Sequence, residues 1–283
     1  MARKRPPTIT LSELKDFLSN ESDFAFEMRV LHKLRTLEFE CEHGGTYEDP
    51  ITQKRRQFDI RAKLVREIYD LRLAVECKNL RESSPLLVHA VKRRVDEAFH
   101  HLVVHPTREQ WRIVPVESYE STYEPGQFVG KSTDQVARKD DGEFKRSDAE
   151  AFDKMMQAVN SAGDAVESAV RVGRALDTII SIIPMLVLPD GMLWQVDYAD
   201  DGKQIGEPKQ VDYCPFFINH PWQVVREASP PYAPYRLSHL EIVTFSGVMT
   251  RAASHLLAQA PGQPKGVFAL YDAVLRRPPL PRG

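Results

Sequence analysis

Three charged residues stand in two short runs that otherwise have the pattern of β-strands. Asp59 lies in the run Gln57–Ala62, and Glu76 and Lys78 close the run Leu71–Asn79. Apolar alternation in both runs, with a polar connection between them, predicts a β-hairpin. Side chains two apart on a strand point to the same face, so Glu76 and Lys78 project together while the residue between them points away. Pairing of the strands can bring Asp59 onto that face as well.

Two carboxylates and an ammonium at one end of a sheet are costly to bury unless they are paired or bind a metal. A hard divalent cation relieves the repulsion between carboxylates and prefers oxygen ligands. A lysine beside such a metal can orient an attacking water or stabilise charge developing on a phosphate. The pattern therefore predicts metal-assisted hydrolysis of phosphodiester bonds. The simpler interpretation is a solvated strand edge whose Glu76 and Lys78 form a weak surface ion pair.

Asp59, sixteen intervening residues and then Glu76-Cys77-Lys78 resemble the D…ExK motif of the PD-(D/E)XK nuclease superfamily, whose fold is restriction-endonuclease-like. The proline that gives the motif its name is absent. The resemblance implies that Asp59, Glu76 and the backbone carbonyl of Cys77 bind Mg²⁺, for which Mn²⁺ can substitute. It also implies that Asp59, Glu76 and Lys78 are catalytic. Motif and element order are matched over roughly the first 105 residues.

A further acidic residue interrupts an apolar pattern upstream of the hairpin. Residues 24–37 have helical periodicity, and Glu27 lies in the middle of the apolar side. An unpaired glutamate is seldom buried, so Glu27 either rims the core, pairs with an arginine or serves a site. The superfamily often takes a metal ligand from the helix before the sheet. The resemblance therefore implies that Glu27 joins the site as a catalytic residue and metal ligand.

The elements that position these residues are predicted from periodicity and from turn signals. The turn signal Pro189-Asp190-Gly191 predicts that the strands on either side of it pair as a hairpin. The predicted order is helices at 10–18 and 24–37, strands at 38–46, 55–65 and 71–78, a helix at 86–104, a strand at 111–116, a polar insertion loop at 117–146, a helix at 147–175, strands at 179–188, 192–198, 209–218 and 238–245, and a helix at 246–257.

The predicted fold class is α/β, a restriction-endonuclease-like core with a central mixed β-sheet flanked by helices, elaborated by an insertion and extra C-terminal strands. Residues 1–283 are expected to form one elaborated nuclease domain. Its predicted parts are a loose basic lead-in at 1–9, the first part of the core with the D…ExK site at 10–105, an insertion at 117–146, a helix and the remaining strands at 147–260, and a proline-rich tail at 261–283.

Nucleic-acid contacts are expected from basic and amide side chains in and beyond the motif. The superfamily expects a helix after ExK, often with such a side chain facing the phosphates, and the predicted helix at 86–104 offers two candidates. The formal net charge of −2 excludes a uniformly basic surface, although basic residues are clustered locally. The expected contact residues are Arg61, Asn79, Lys92, Arg93 and Lys131.

Composition bears on the compartment of the protein. Cys41, Cys77 and Cys214 are widely spaced without a CxxC pattern, which favours a reducing compartment over a disulfide framework or structural zinc. No apolar run approaches the roughly 18 residues of a membrane span, and the amino terminus lacks the apolar core of a signal peptide. A cytoplasmic protein without a membrane partner is expected.

The favoured function is a Mg²⁺-dependent nuclease, specifically an endonuclease acting on double-stranded DNA, with restriction or anti-phage defence as its setting. One alternative is a non-cleaving nucleic-acid-binding or assembly subunit with the same fold. Another is a branched-DNA resolvase, which would need a dimer. The sequence leaves open whether the chain forms a homodimer and whether a partner protein regulates it. A Ser or Cys hydrolase has the least support, because no nucleophile-elbow pattern is present.

Overall fold

The computed structural model describes most of the chain, in ten separate ranges. Outside these ranges lie residues 1–7 of the lead-in predicted at 1–9, most of the helix predicted at 246–257 and the whole of the tail predicted at 261–283. The described residues are 8–20, 22–49, 53–66, 68–105, 111–117, 121–138, 142–147, 149–171, 178–222 and 234–248.

Helices are few and strands are many in the described ranges. The helices are α1 (Leu11–Asn20), α2 (Phe24–Thr36) and α3 (Ala149–Arg171), with a 3₁₀ turn at Val95–Glu97 and a short helical stretch at 245–248. The strands are β1 (Glu40–His43), β2 (Thr46–Glu48), β3 (Arg55–Gln57), β4 (Ile60–Arg66), β5 (Tyr69–Cys77), β6 (Leu86–Lys92), β7 (Phe99–His105), β8 (Arg112–Glu117), β9 (Phe128–Arg138), β10 (Phe144–Ser147), β11 (Thr178–Leu188), β12 (Leu193–Tyr198), β13 (Gln204–Gln210), β14 (Tyr213–Trp222) and β15 (Tyr235–Thr244).

Thirteen of these strands form one mixed sheet, called the large sheet below, in the order β1-β4-β5-β11-β15-β14-β9-β6-β12-β13, with β7, β8 and β10 attached beside this path. β1, β4 and β5 pair antiparallel, whereas β11 runs parallel to both β5 and β15. β2 and β3 form a separate two-stranded sheet. The protein therefore has a mixed α/β fold with a large central sheet flanked by a few helices, as the sequence predicted at this coarse level.

α2 and α3 cover opposite faces of the large sheet. Val75 and Cys77 of β5 belong to the apolar cluster that includes the buried side of α2, whereas Ala74 belongs to the cluster formed with α3. Alternate side chains of a strand point to opposite faces, so both faces of β5 are covered. The same holds for β11, and this accounts for its nearly continuous apolar sequence.

The helix predicted at 86–104 is wrong, because the structure forms β6 and β7 there with the 3₁₀ turn between them. Leu86, Val88 and Ala90 alternate with a period of two and are fully buried, and Leu86 and Val88 belong to the apolar cluster formed with α3. Both periods fit so short an apolar run. β6 has partners on both sides, β9 and β12, and this pairing decides in favour of a strand.

Two further predictions are corrected by strand pairing. The loop predicted at 117–146 is wrong in part, because it contains β9 and β10. β9 buries the polar side chains of Thr133 and Gln135, so its strand has no apolar alternation in the sequence. The turn at 190–191 is present, but β11 and β12 do not pair with each other. β12 pairs with β6 and β13 instead.

The assignment of residues 1–283 to a single domain stays a prediction.

In the described part of the chain, no helix has both the length and the apolar character needed to cross a membrane.

Candidate functional site

The predicted hairpin is confirmed and brings Asp59 beside Glu76. β4 and β5 pair antiparallel with Ile60 opposite Val75, so the next position in register sets Asp59 opposite Glu76. The backbone N–H of Cys77 donates to Asp59 Oδ2 at 2.8 Å. The backbone N–H of Asp59 in turn lies 3.3 Å from Glu76 Oε1. These two bonds fix both carboxylates against the end of the hairpin.

A lysine from α3 lies between the two carboxylates. Lys154 Nζ is 3.1 Å from Asp59 Oδ1, 2.8 Å from Asp59 Oδ2 and 3.0 Å from Glu76 Oε2. The Glu76 side chain is completely buried, whereas those of Asp59 and Lys154 are 11% and 19% exposed. One ammonium therefore serves two carboxylates at a point that solvent still reaches.

The electrostatics follow from this burial and from the unequal numbers of charges. Burial, followed by the neighbouring charge of Asp59, raises the pKa of Glu76 to about 8. Burial would lower the pKa of Lys154, but the charges of Glu76 and Asp59 outweigh it and raise that pKa above its usual value. The lysine thus stays charged and balances Asp59 while Glu76 is protonated. Once the pH exceeds the raised pKa of Glu76, about 8, both carboxylates are ionised and the pair is one positive charge short of neutrality.

Lys78 lies at the same end of β5, but its ion pairs are with other residues. Its Nζ is 3.4 Å from Asp23 Oδ2 and 3.2 Å from Glu150 Oε2, at the starts of α2 and α3. Asp23 also accepts a hydrogen bond at 2.8 Å from the backbone N–H of Asn79. Lys78 is therefore held at the rim of the site, and its catalytic role stays a prediction.

Glu27 reaches the neighbourhood of the site from α2, on the opposite face of the sheet. Its Oε2 lies 3.3 Å from His43 Nε2 on β1. Burial and then the charge of Asp59 raise the pKa of Glu27. The structure thus gives Glu27 an electrostatic connection to the site and a direct contact with His43. Its predicted roles as catalytic residue and metal ligand remain untested.

The residues expected to contact nucleic acid divide into two groups. Arg61 and Asn79 lie on or next to the hairpin, whereas Lys92, Arg93 and Lys131 lie on or beside β6 and β9, four to five strands from β5 in the sheet order. The second group therefore comes from strands that do not neighbour the hairpin.

The expectation that Arg93 contacts the phosphates depended on the helix predicted at 86–104, and the structure forms strands there instead. Arg93 is buried, and it donates to His239 Nε2 at 3.1 Å and to the backbone carbonyl of Glu124 at 2.8 Å. Lys131 pairs with Glu97 at 2.7 Å. Lys92 is exposed at the end of β6.

The oxygen-rich donor set is compatible with a hard divalent cation. Among the residues that the structure describes, no group of three or more His, Cys, Asp and Glu side chains is arranged to hold a metal ion. The donors that the D…ExK resemblance assigns to Mg²⁺ are the carboxylates of Asp59 and Glu76 and the carbonyl of Cys77, and water would have to complete the coordination. The Cys77 thiol is fully buried and burial raises its pKa, so it offers no nucleophile.

Sequence reasoning missed Lys154, although a signal for it was present. Lys154 lies three residues after Ala151 and four before Ala158, and both alanines are fully buried. It therefore interrupts the apolar side of α3 as Glu27 interrupts that of α2. Asp23 gave no such signal. It looks like a helix cap, yet its side chain makes no capping bond and instead binds the ExK segment.

Comparison with known proteins identifies no relative from which a function could be taken. No family model, curated protein or solved structure matches the chain. Any assignment of function therefore depends on the contacts, burial and charges of the site.

Proposed function

We propose that the protein is a metal-dependent nuclease that hydrolyses phosphodiester bonds, with Asp59, Glu76, Lys78 and Lys154 at its site. The observation that carries this proposal is the pair of carboxylates from adjacent strands that share the ammonium of Lys154. Mg²⁺, held by Asp59, Glu76 and the Cys77 carbonyl, would supply the Lewis acid that activates water and polarises the phosphate.

The order of the elements supports a restriction-endonuclease-like core as part of this proposal. α2 is followed by the antiparallel strands β1, β4 and β5, and β5 carries ExK at its end. β11 then lies parallel to β5, and α3 precedes it in the chain. On this proposal α3 is the helix that the superfamily places after ExK, delayed by the strands β6 to β10, and Lys154 is its basic side chain.

The two lysines suit different parts of a phosphodiester hydrolysis. Lys154 holds the carboxylates in place and offsets their charge, so it fixes the positions of the ligands. Lys78 lies at the rim with 19% of its side chain exposed, and its partner Glu150 is 68% exposed. An incoming phosphate can compete with Glu150 for this ammonium because exposed ion pairs are weak. Lys78 would then stabilise the negative charge that grows in the transition state.

Cleavage of supercoiled plasmid tests the proposal. Wild-type protein with Mg²⁺ or Mn²⁺ should nick the plasmid and EDTA should prevent it. Asp59→Asn should lose at least roughly 10³-fold in rate, because the variant removes a charged ligand of the metal. Glu40→Gln changes an exposed carboxylate on neighbouring β1 and should cleave like wild type. Cleavage that survives EDTA, or equal rates for Asp59→Asn and wild type, would overturn the proposal.

One observation favours the non-cleaving alternative as a second candidate. Lys154 already bonds both carboxylates, and Lys78 has acidic partners elsewhere, as they would in a purely structural ion cluster. Retardation of DNA without cleavage under any divalent cation would select this candidate. Double-stranded DNA as substrate, a defence role, a branched-DNA resolvase, a cytoplasmic location, a homodimer and a regulatory partner all stay predictions.

A further inference from the structure

α1 is an amphipathic helix whose apolar side is exposed. At 100° per residue its apolar residues share one side and its polar residues occupy the other. The apolar side chains are Leu11, Leu14, Phe17 and Leu18, and they are between 47% and 70% exposed. None of the side chains described for α1 belongs to an apolar core cluster of the described residues. The described part of the chain therefore leaves this side of α1 uncovered.

Local interactions alone are too weak to hold so short a helix. Thr10 and Glu13 form a capping box at its start, in which the Thr10 N–H donates to Glu13 Oε2 at 2.7 Å and the Glu13 N–H lies 3.3 Å from Thr10 Oγ1. α1 has only 10 residues. Isolated helices shorter than roughly 12–15 residues are marginal in water, and most helical stability in proteins comes from packing of the apolar side. The stability of α1 therefore calls for an apolar partner.

The charges of α1 argue against a membrane surface as that partner. Helices that lie in a membrane interface carry Lys and Arg on their polar side. The charged residues of α1 are Glu13, Lys15 and Asp16, so acidic residues outnumber basic ones. A protein segment with an apolar stripe and basic residues fits this helix better.

One such segment is present in the same chain, outside the described residues. Residues 267–275 repeat apolar side chains at the spacing of a helical stripe. Arg276 and Arg277 follow directly, and Pro278 is a stop signal for a helix. The segment thus offers an apolar stripe to the apolar side of α1 and two cations to its acidic residues. The members of the stripe are Val267, Phe268, Leu270, Tyr271, Val274 and Leu275.

The connection is long enough for this segment to reach α1. Val248, the last described residue, is fully buried in the apolar cluster that includes α2. Phe245 lies beside Phe26 near the start of α2, with 6.3 Å between the ring centroids, and α1 directly precedes α2 in the chain. Residues 249–266 connect Val248 to the segment, and a flexible chain of that length spans roughly 20–25 Å. Because a tether raises the effective concentration to the millimolar range, the same chain has the advantage over a second copy.

We infer that residues 267–277 of the same chain pack as an amphipathic helix on the apolar side of α1. Two short helices, each marginal alone, then stabilise each other by burial of their apolar sides. This packing accounts for the exposed side of α1 in the described residues and for the helical pattern of residues 267–275. The inference does not depend on the proposed function.

Amide hydrogen exchange on the full chain tests the inference. In wild-type protein the amides of α1 and of residues 267–277 should both be protected. Leu270→Asp places a charge in the apolar stripe and should speed exchange in α1 by roughly tenfold or more. Leu14→Asp should speed exchange in residues 267–277, because the coupling between two sites is reciprocal.

Matched controls introduce the same charge on the polar side of each helix. Ala269→Asp and Ser12→Asp lie opposite the two apolar stripes at 100° per residue, and both should exchange like wild type. Thermal unfolding checks that the variants are folded, and Val274→Asp provides the result if Leu270→Asp is not.

The outcomes distinguish the possible partners of α1. A monomeric mass in sedimentation equilibrium, with protection that does not change with protein concentration, supports packing within one chain. A dimer that Leu270→Asp dissociates would assign the contact to a second copy and overturn the inference. Binding of wild type to phosphatidylserine vesicles that Leu14→Asp abolishes would overturn it in favour of a membrane. Exchange in α1 that is unprotected in wild type, or unchanged by Leu270→Asp, would also overturn it.

Discussion

Two buried groups of charged side chains lie in different parts of the large sheet and differ in what they leave unsatisfied. In the first, which we call the site cluster, Asp59 and Glu76 share Lys154. The cluster has excess negative charge once Glu76 is ionised, and Lys154 is 19% exposed. Solvent therefore reaches two carboxylates that share a single ammonium.

The second group, which we call the distal cluster, consists of Arg93, Tyr123, His239 and Glu241, all 5% exposed or less. Arg93 Nε donates to His239 Nε2, and the hydroxyl of Tyr123 donates to Glu241 at 2.9 Å. The imidazole stacks on the Tyr123 ring with centroids 3.8 Å apart. Burial and then Arg93 lower the pKa of His239 well below its usual value, so the ring is neutral and can accept from arginine.

If the proposed function is correct, the difference separates charge that is buried for stability from charge that takes part in catalysis. In the distal cluster a cation, an anion and a neutral ring are packed together away from solvent. In the site cluster two carboxylates share one ammonium near the surface, where another cation can approach. Removal of matched residues should therefore affect stability in one cluster and activity in the other.

The largest contrast is expected between Glu76→Gln and Glu241→Gln. Glu76→Gln should reduce cleavage by roughly 10⁴-fold, about 5.5 kcal/mol in transition-state free energy, because on the proposed function it removes a charged metal ligand. Glu241→Gln keeps an acceptor for Tyr123 and should leave cleavage within about twofold, at a cost of roughly 1–2 kcal/mol in unfolding free energy. Plasmid cleavage and urea unfolding of both variants measure the two effects. Equal loss of cleavage in both variants would remove the distinction.

Replacing the cation of each cluster by methionine should lower the unfolding free energy more in the distal cluster than in the site cluster. Arg93→Met removes the charged donor of two hydrogen bonds, to His239 and to the Glu124 carbonyl, and should lower the unfolding free energy by about 3–5 kcal/mol. Lys154→Met should cost roughly 1–3 kcal/mol, because Glu76 can take up a proton when the ammonium is absent. Urea unfolding at neutral pH without metal compares the two variants. A larger loss for Lys154→Met would show that the site cluster is the structural one.

The smallest effect is the pH dependence of metal binding. The Glu76 carboxyl, whose pKa is raised in the folded state, stabilises the fold fully below about pH 4.5. This contribution to the unfolding free energy is lost as the pH rises through about 8. Metal binding needs the ionised form. The affinity for Mg²⁺ should therefore rise by up to about tenfold per pH unit and level off near pH 8. Calorimetric titration across this range measures it, and affinity that is constant from pH 6 to pH 8 would contradict the assignment.

Local patterns determined much of the site from the sequence. The period of two in β4 and β5, with a short connection between them, determines that Asp59 and Glu76 meet, because register in a tight hairpin is set by the turn and the buried face. The helical period of α2 identifies Glu27 as the exception on an apolar side. These features depend on neighbours close in the chain, and local periodicity reports such neighbours well.

Tertiary structure alone decided which cation lies between the carboxylates. Lys154 is 95 residues from Asp59 along the chain, and only the packing of α3 on the sheet brings them together. Residues 86–92 became a strand because β9 and β12 supply hydrogen bonds on either side. Lys78 meets Asp23 and Glu150 because the starts of two helices converge on the end of β5. Each outcome depends on partners distant in sequence, and no local pattern contains them.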